Sequence, residues 1–382
     1  MLTYTGKYAT ANVMIDSVEE TAISQIYTFL NHPAFAHSYI VIMPDCHAGA
    51  GCVVGTTMKM NDYVIPNVVG VDIGCGVSAY KIGITPQWHL KDLDDFIKGN
   101  IPSGYAHRGN LIKISETLEN RLFATSHNIG LNHLDVQRQL GTLGGGNHFI
   151  EIDKAPDDSW WLVIHSGSRN FGLKVAKFHQ NVAADLLRRY LIGDAYKTLE
   201  YLNVETKEGK DYLFDMKVAQ EFAAENRKIM ANIVLEQFFN LNLYSLEKIE
   251  SVHNYINFED KIIRKGAIQA NLGQKLLIPF NMRDGIAVGV GKGNKKWNNS
   301  APHGAGRILS RSQAKKTLIL GEYQLDMDGI YTTTATQNTI DESPRAYKDK
   351  DMILEAIKET VDVDFLMKPI YNFKSSDVRE LD

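Results

Sequence analysis

The sequence predicts a mixed α/β (α+β) fold, and three observations carry that prediction. Long stretches free of proline and glycine repeat apolar residues at helical spacing, over roughly 172–203 and 214–238. Between them lie short β-branched runs such as YIVIMPD (39–45) and WWLVIHSGSR (160–169), the second a buried strand running into a turn. Polar residues of special chemistry gather where those runs meet glycines, and such junctions of rigid element and loop commonly hold reactive groups.

The remaining elements follow in order. DSVEETAISQIYTFLN (16–31) has a helical apolar rhythm opened by Asp16, whose carboxylate suits an N-cap. NVVGVDIGCGVSAYKI (67–82) reads as strands interrupted by glycines. Shorter strands are expected at SVHNYINFE (251–259), KLLIPF (275–280) and GIAVGV (285–290). A helix RILSRSQAKKTL (307–318) follows a glycine-rich turn, and DMILEAIKET (351–360) is a late helix. The chain has 382 residues, enough for two domains or one large interwoven one. No repeat, low-complexity tract or linker marks a boundary.

Composition narrows the function. With 44% hydrophobic and 23% charged residues, a packed core is expected and disorder is not. No apolar run approaches the roughly 20 residues that span a bilayer. The N-terminal stretch lacks the basic-then-apolar layout of a signal peptide, so a cytoplasmic location is expected. Cys46, Cys52 and Cys75 are too few and odd in number for a disulfide framework and read as reduced thiols or ligands. A net charge of −4 argues against a coat of positive charge for nonspecific nucleic-acid binding. A local basic groove remains open: Lys292, Lys295 and Lys296, then Arg307, Arg311, Lys315 and Lys316, are candidates. Solvated surface charge is the plainer account of that run alone.

Four constellations carry chemistry. In Asp72-Ile-Gly-Cys75-Gly, glycines let a sharply bent strand aim a carboxylate and a thiol at one point, where a thiolate can bridge two divalent ions. The bland alternative is a buried structural cysteine. Gly144-Gly-Gly-Asn147-His148-Phe-Ile-Glu151 offers loop amides to a phosphate, an imidazole to a metal and a carboxylate to the edge of a base. His165-Ser-Gly-Ser-Arg169 ends an apolar strand on a histidine that needs partners, with an arginine beyond it able to clamp phosphate. His253-Asn254 repeats the pattern at another strand edge. Taken singly, each histidine is as readily a satisfied structural residue.

The fourth is Ala301-Pro-His303-Gly304-Ala305-Gly306-Arg307-Ile-Leu-Ser-Arg311. Arg307 and Arg311, four apart, would share one helical face and attract anions. A neutral His303 beside an anion site suits attack on phosphorus, with Asp45 in MPDCH a candidate to fix its tautomer. His47 adjoins Asp45 and is expected to line the same pocket, whereas His107, His127 and His133 read as surface or structural.

Together and in order, MPDCHAGAG, GVDIGCG, LGGGNHFIE, HSGSRNFG, VHNY and HGAGRILSR resemble the RtcB family of RNA ligases, over about Gly6 to Lys374. The resemblance implies one RtcB-like catalytic domain over 1–382, with stacked β-sheets covered by helices and a central metal-containing cleft. It implies joining of an RNA 3′-phosphate or 2′,3′-cyclic phosphate end to a 5′-hydroxyl end, with GTP and two Mn²⁺ ions. Cys75 would bridge the metals, His165 and His253 completing one site, Asp72 and His148 the other. His303 would become guanylylated, oriented by Asp45. Asn147, Glu151, Gly304, Ala305, Gly306 and Lys374 would contact the nucleotide, Lys374 against the guanine. Arg169, Arg307 and Arg311 would hold RNA phosphates, and an archease-like activator is a partner the family admits. Manganese comes from the resemblance alone, since cysteine and histidine donors generally favour zinc.

One stretch departs from the family pattern. LIPFNMRDGIAVGVGKGNKKWNNSAP stands where a glycine-serine-methionine-glycine loop is usual, and Arg283, Asp284 and the lysines are expected to alter the surroundings of triphosphate and RNA. The change resembles a bacterial subgroup acting in repair of cleaved RNA, ribosomal RNA included, rather than tRNA splicing. Two rival readings are a manganese-dependent cyclic phosphodiesterase, which would not need His303, and a non-catalytic nucleotide- or RNA-binding relative.

Overall fold

Two sheets grow from the β-branched runs. In the computed structural model, which describes residues 1–49, 51–83, 88–190 and 196–377, Tyr39–His47 is the spine of a six-stranded sheet. The order is Leu2–Thr5, Thr10–Val13, Tyr39–His47, Val54–Lys59, Ile262–Lys265 and Asn254–Asn257, with one parallel pair between Thr10–Val13 and Tyr39–His47. A seven-stranded sheet runs Lys248–Val252, Gly76–Gly83, Trp160–Ser166, Phe149–Lys154, Val361–Phe373, Gly285–Gly291 and Lys275–Asn281, antiparallel throughout. Helices Arg169–Arg189 and Lys207–Gln237 supply the covering layer, and the largest apolar cluster takes side chains from both sheets and both helices. The mixed α/β class with sheets covered by helices is therefore the observed one. Phe171 and Phe222, fully buried with ring centroids 5.2 Å apart, join the two long helices. Truncating either would cost about 3–5 kcal/mol, because a ring-sized cavity refills poorly.

The seam between the sheets positions the site. The chain leaves the seven-stranded sheet at Val252 and enters the six-stranded sheet at Asn254, with His253 at the crossing. Its N–H donates to the Cys75 carbonyl at 2.9 Å, and its own carbonyl accepts from Gly266 N at 2.7 Å. The expected strand 251–259 is thus broken at the residue of chemical interest, because one backbone serves two ladders.

Several other expectations need correcting. Asp16 does not cap the first helix; it pairs with the N-terminal amine, and the helix runs Glu20–Leu30. Within 67–82, Pro66–Val69 is a short helix with proline in its first turn, and the strand begins only at Gly76. The helix expected over 172–203 starts at Arg169 and closes at Arg189. Residues 191–195 lie outside the described residues, and Leu202–Asn203 pairs as a strand with Tyr63–Val64, a tertiary contact overriding local helical rhythm. The next helix starts earlier than expected, at Lys207, because the Thr206 hydroxyl accepts from Gly209 N. The expected helix 307–318 starts at Arg311, where Ser310 and Gln313 form a capping box. Residues 351–360 hold all but the first residue of helix Lys350–Ala356, a further helical turn, and Thr360. The 13-residue strand Val361–Phe373 was not anticipated: charge alternation and Pro369 obscure it, and the ladder shifts register at that proline. No described helix is long and apolar enough to cross a membrane.

Candidate active site

Cys75 immediately precedes Gly76–Gly83, His148 precedes Phe149–Lys154, and His165 lies within Trp160–Ser166, opposite both Val77 and Phe149. Three adjacent strands therefore bring their donors to one end of the seven-stranded sheet, and His253 reaches them from the seam. Cys75 Sγ lies 3.4 Å from His148 Nε2 and 3.3 Å from His165 Nε2. His165 Nε2 is 3.4 Å from His253 Nε2, and His148 Nε2 is 2.9 Å from Asp72 Oδ2. The structure brings all five candidate ligands together. An ion with bonds of about 2.0–2.3 Å to nitrogen and sulfur sets neighbouring donors roughly 3–4 Å apart, so the spacing fits metal occupancy.

The electrostatics fit as well. Burial pushes His165 and His253 well below the ordinary imidazole value, leaving neutral rings. His165 Nδ1 donates to the Asn147 carbonyl at 3.1 Å, which turns the Nε2 lone pair towards the cluster. Burial, reinforced by Asp72, raises the Cys75 thiol well above its usual value. A thiolate here needs cationic charge that the surrounding donors do not supply. For Asp72, burial opposes ionisation, but the hydrogen bond and charge of His148 outweigh it and hold the carboxyl below its ordinary value. Ser168 N donates to Asp72 Oδ1 at 3.0 Å. A Cβ at Gly167 would sit 2.0 Å from that oxygen, so this glycine of HSGSR is a steric requirement.

His303 follows the short strand Ser300–Pro302, which pairs with Ala267–Gln269 just beyond the seam. Its ring centroid is 4.9 Å from that of His253, and its Nδ1 donates to Asp45 Oδ2 at 2.7 Å. Asp45 is fully buried. The pair fixes the tautomer of His303 and leaves its lone pair on Nε2. Gly306, at φ +75°, lets the loop pass Asp45: a Cβ there would stand 2.1 Å from the Asp45 carbonyl oxygen.

A cavity of about 760 Å³ opens beside His303. Of the predicted residues, Asn147, Glu151, Gly304, Ala305, Gly306, Arg307, Arg311 and Lys374 line it, with His165 at its floor; His47 lines it too. Lys374 is buried, donates to the Asn147 carbonyl at 3.2 Å and lies over the Phe149 ring. Burial raises the Glu151 carboxyl to about 7, against the pull of Lys374 and Asn372.

Arg169 is not among the residues lining this cavity. Buried behind the cluster, it donates to Thr142 Oγ1 and the Gly104 carbonyl. Arg307 precedes the helix and so does not share a helical face with Arg311. Both turn to acids: Arg311 Nη1 lies 2.6 Å from Asp341 Oδ2 and from Glu342 Oε1, and Arg307 Nη1 is 3.4 Å from Glu342. The lysines of the divergent stretch do not line the cavity, and Lys292 pairs with Asp362 at 2.7 Å. Asn281 and Met282 do line it, while Arg283 turns aside to Asp284 and Asp326.

Two residues escaped the sequence reading. Glu342 gathers Arg307, Arg311, Lys374 (3.2 Å) and the Tyr347 hydroxyl (2.8 Å). Arg227, buried on the long helix, donates to the carbonyls of Gly74 (2.8 Å) and Ser166 (3.0 Å), the neighbours of Cys75 and His165. Neither sits in a glycine-rich motif. For Arg227 the available signal was a charged residue in a largely apolar stretch of helix; Glu342, at the end of a short helical turn, offered none.

The comparisons agree with this geometry. A family model described as tRNA-splicing ligase RtcB matches residues 25–375. The RNA-splicing ligase RtcB of Escherichia coli (strain K12) is 30% identical over 385 residues, covering 92% of this chain and 94% of that protein. The tRNA-splicing ligase RtcB of Aeropyrum pernix is 29% identical over 402 residues, covering 83% of each. A family model matched over most of the chain, a relative aligned over most of both proteins and a converged donor cluster lead to one conclusion: this chain belongs to the RtcB family.

Proposed function

We propose that the protein is an RNA ligase joining 3′-phosphate or 2′,3′-cyclic phosphate ends to 5′-hydroxyl ends, with GTP as co-substrate and His303 as the group that carries GMP. The observation that carries this reading is the His303–Asp45 pair at 2.7 Å, set in the wall of the large cavity one ring away from the five-donor cluster. The relatives' names as RNA-splicing ligases support it.

The residues divide the work. His303 Nε2 would attack the α-phosphorus of GTP; a P–N bond forms as the P–O bond to pyrophosphate breaks. Asp45 holds the ring and stabilises the charge it gains. An RNA 3′-phosphate oxygen then takes the GMP from His303, and the 5′-hydroxyl displaces GMP from the resulting anhydride, losing its proton. Asp72, Cys75, His148, His165 and His253 would hold two Mn²⁺ ions, which when bound neutralise charge on the phosphoryl oxygens. Glu151 and Lys374 would read the guanine, and Asn147 and the Gly304–Gly306 amides the phosphates and ribose. Arg311, which lines the cavity, would meet RNA phosphate. Because the divergent hairpin lines the cavity at Asn281 and Met282, substrate choice is where this chain would differ, towards repair of cleaved RNA.

The test is to incubate protein with Mn²⁺ and α-labelled GTP and look for an acid-labile protein–GMP adduct. The adduct is expected in wild type and lost in His303→Ala, with metal binding retained. Asp45→Asn should slow its formation about 10²–10⁴-fold, as for other nucleophile-orienting acids. A label surviving in His303→Ala would move the nucleophile elsewhere. No adduct with any divalent metal would favour a cyclic phosphodiesterase instead.

A further inference from the structure

A second cavity, of about 340 Å³, shares no lining residue with the first. Its rim is polar: His107, Asn132, Asp135, Arg138, Asn170 and Lys174. Leu131 and Val136 add apolar surface. The volume suits one nucleotide, at the small end of ligand pockets, which run roughly 300–1,000 Å³.

Its position ties it to the metal centre. Asn170 and Lys174 come from the first turns of helix Arg169–Arg189. Two residues before Asn170, Ser168 N donates to the Asp72 carboxylate, so rim and ligand partner lie at most about 7 Å apart between α-carbons. Arg169 bridges the same gap from below, donating to the Gly104 carbonyl three residues before His107.

The chemistry is that of a single-strand subsite. Lys174 is exposed at the rim. Arg138 is held by Asp135 at 2.7 Å, which sets the guanidinium at the rim. Partial desolvation and the charge of Arg169, opposed by Asp135, lower His107 from its ordinary value, favouring a neutral ring at the rim. Single-stranded RNA is recognised in this way, by cations on its backbone, rings against its bases, and amides and carboxylates at base edges. In a chain of net charge −4, Lys174 and Arg138 against Asp135 leave this rim with a net positive charge, which favours an RNA phosphate.

We infer that this cavity takes one nucleotide of the RNA strand being sealed, its phosphate on Lys174 and Arg138 and its base against His107. The inference rests on the ligase reading above and extends it to where the strand runs. It also gives His107, otherwise a surface histidine, a role.

The experiment uses the full chain loaded with Mn²⁺ and a fluorescent single-stranded RNA with a 5′-hydroxyl, followed by anisotropy across a salt series. Arg138→Ala/Lys174→Ala should bind about 5–20-fold more weakly, with the slope of log affinity against log salt shallower by roughly 1. His107→Ala should weaken binding about fivefold or more with the salt slope unchanged, as expected for lost stacking. A 4-thiouridine RNA should cross-link to the peptides carrying His107 or Leu131. Unchanged affinity and slope in all variants, or cross-links confined to other peptides, would overturn the subsite. Wild-type labelling by GTP, measured in parallel, separates the two readings. Labelling with unaffected variants leaves the ligase and removes the subsite; weakened variants without any labelling leave an RNA-binding cavity but overturn its role on a strand being sealed.

Discussion

Two buried polar regions flank the large cavity, and they balance charge in opposite ways. In the cluster around Cys75, donors face donors: a thiol, three imidazoles and a carboxylate lie 2.9–3.4 Å from their neighbours, with no lysine or arginine among them. Around Glu342 the reverse holds. One buried carboxylate is gripped by two guanidiniums and an ammonium, and for this group burial is outweighed by Lys374, Arg311 and Arg307, which hold the acid well below its ordinary value. Lone pairs crowded without a positive partner repel, so the first region is complete only with added cations. The second is already charge-paired, which suits it to bracing the cavity wall. Similar burial therefore says little about role, whereas the sign of what is missing says a great deal.

The comparison is broken most severely at Cys75. Cys75→Ala removes the donor that lies against both His148 and His165, and metal-dependent RNA joining should fall by about 10³-fold or more, beyond the loss of one transition-state donor. Folding should be nearly unaffected, because a small buried thiol is replaced by a methyl group. Joining assays paired with metal analysis check this; full activity in Cys75→Ala would refute the bridging role.

Glu342→Gln attacks the other region, and its signature should be stability. The change leaves the buried Lys374 and the half-buried Arg307 without this carboxylate, while Arg311 keeps Asp341, at a cost of about 3–5 kcal/mol in chemical denaturation at neutral pH. The sign with pH follows from the depressed folded value. Glu342 binds its proton less readily folded than unfolded, so its contribution is present above about pH 4.5, its unfolded value, and is lost as pH falls towards the folded one. Glu342→Gln should lack that part of the acid destabilisation, and a parallel acid limb in wild type and variant would count against the brace.

This contrast also explains what was legible in the sequence. Cys75, His148, His165, His253 and His303 stand in short glycine-flanked strings at strand ends, where local sequence both makes the bend and supplies the donor. The Asp45–His303 pair could be guessed from chemistry, although 258 positions separate its members. Glu342 could not, because its cationic partners come from two distant segments and its own neighbours, IDESPR, announce only a turn. Strand Val361–Phe373 was hidden for a similar reason: its ladder partners Phe149–Lys154 and Gly285–Gly291 impose a pleat that its charged, proline-bearing sequence does not request. Arg307 was misplaced because helical spacing was extended past Ser310, the residue that starts the helix.

The finest test of the contrast lies between the two regions' logics, at Arg227. This arginine is a cation next to the donor cluster, yet its nitrogens are spent on the carbonyls of Gly74 and Ser166, on Ser78 Oγ and on Glu250. It therefore fixes the backbone on either side of the cluster without neutralising the donors. Arg227→Lys keeps the charge but cannot span both carbonyls, since a single ammonium replaces a planar fork. If position matters more than charge, Mn²⁺ affinity should drop about 10–100-fold, the usual cost of losing a residue that orients ligands. Titration of the purified protein with Mn²⁺, read by calorimetry, measures it directly. If affinity in Arg227→Lys stays within twofold of wild type, the carbonyl bridge is dispensable, and the donors are held by the strands alone.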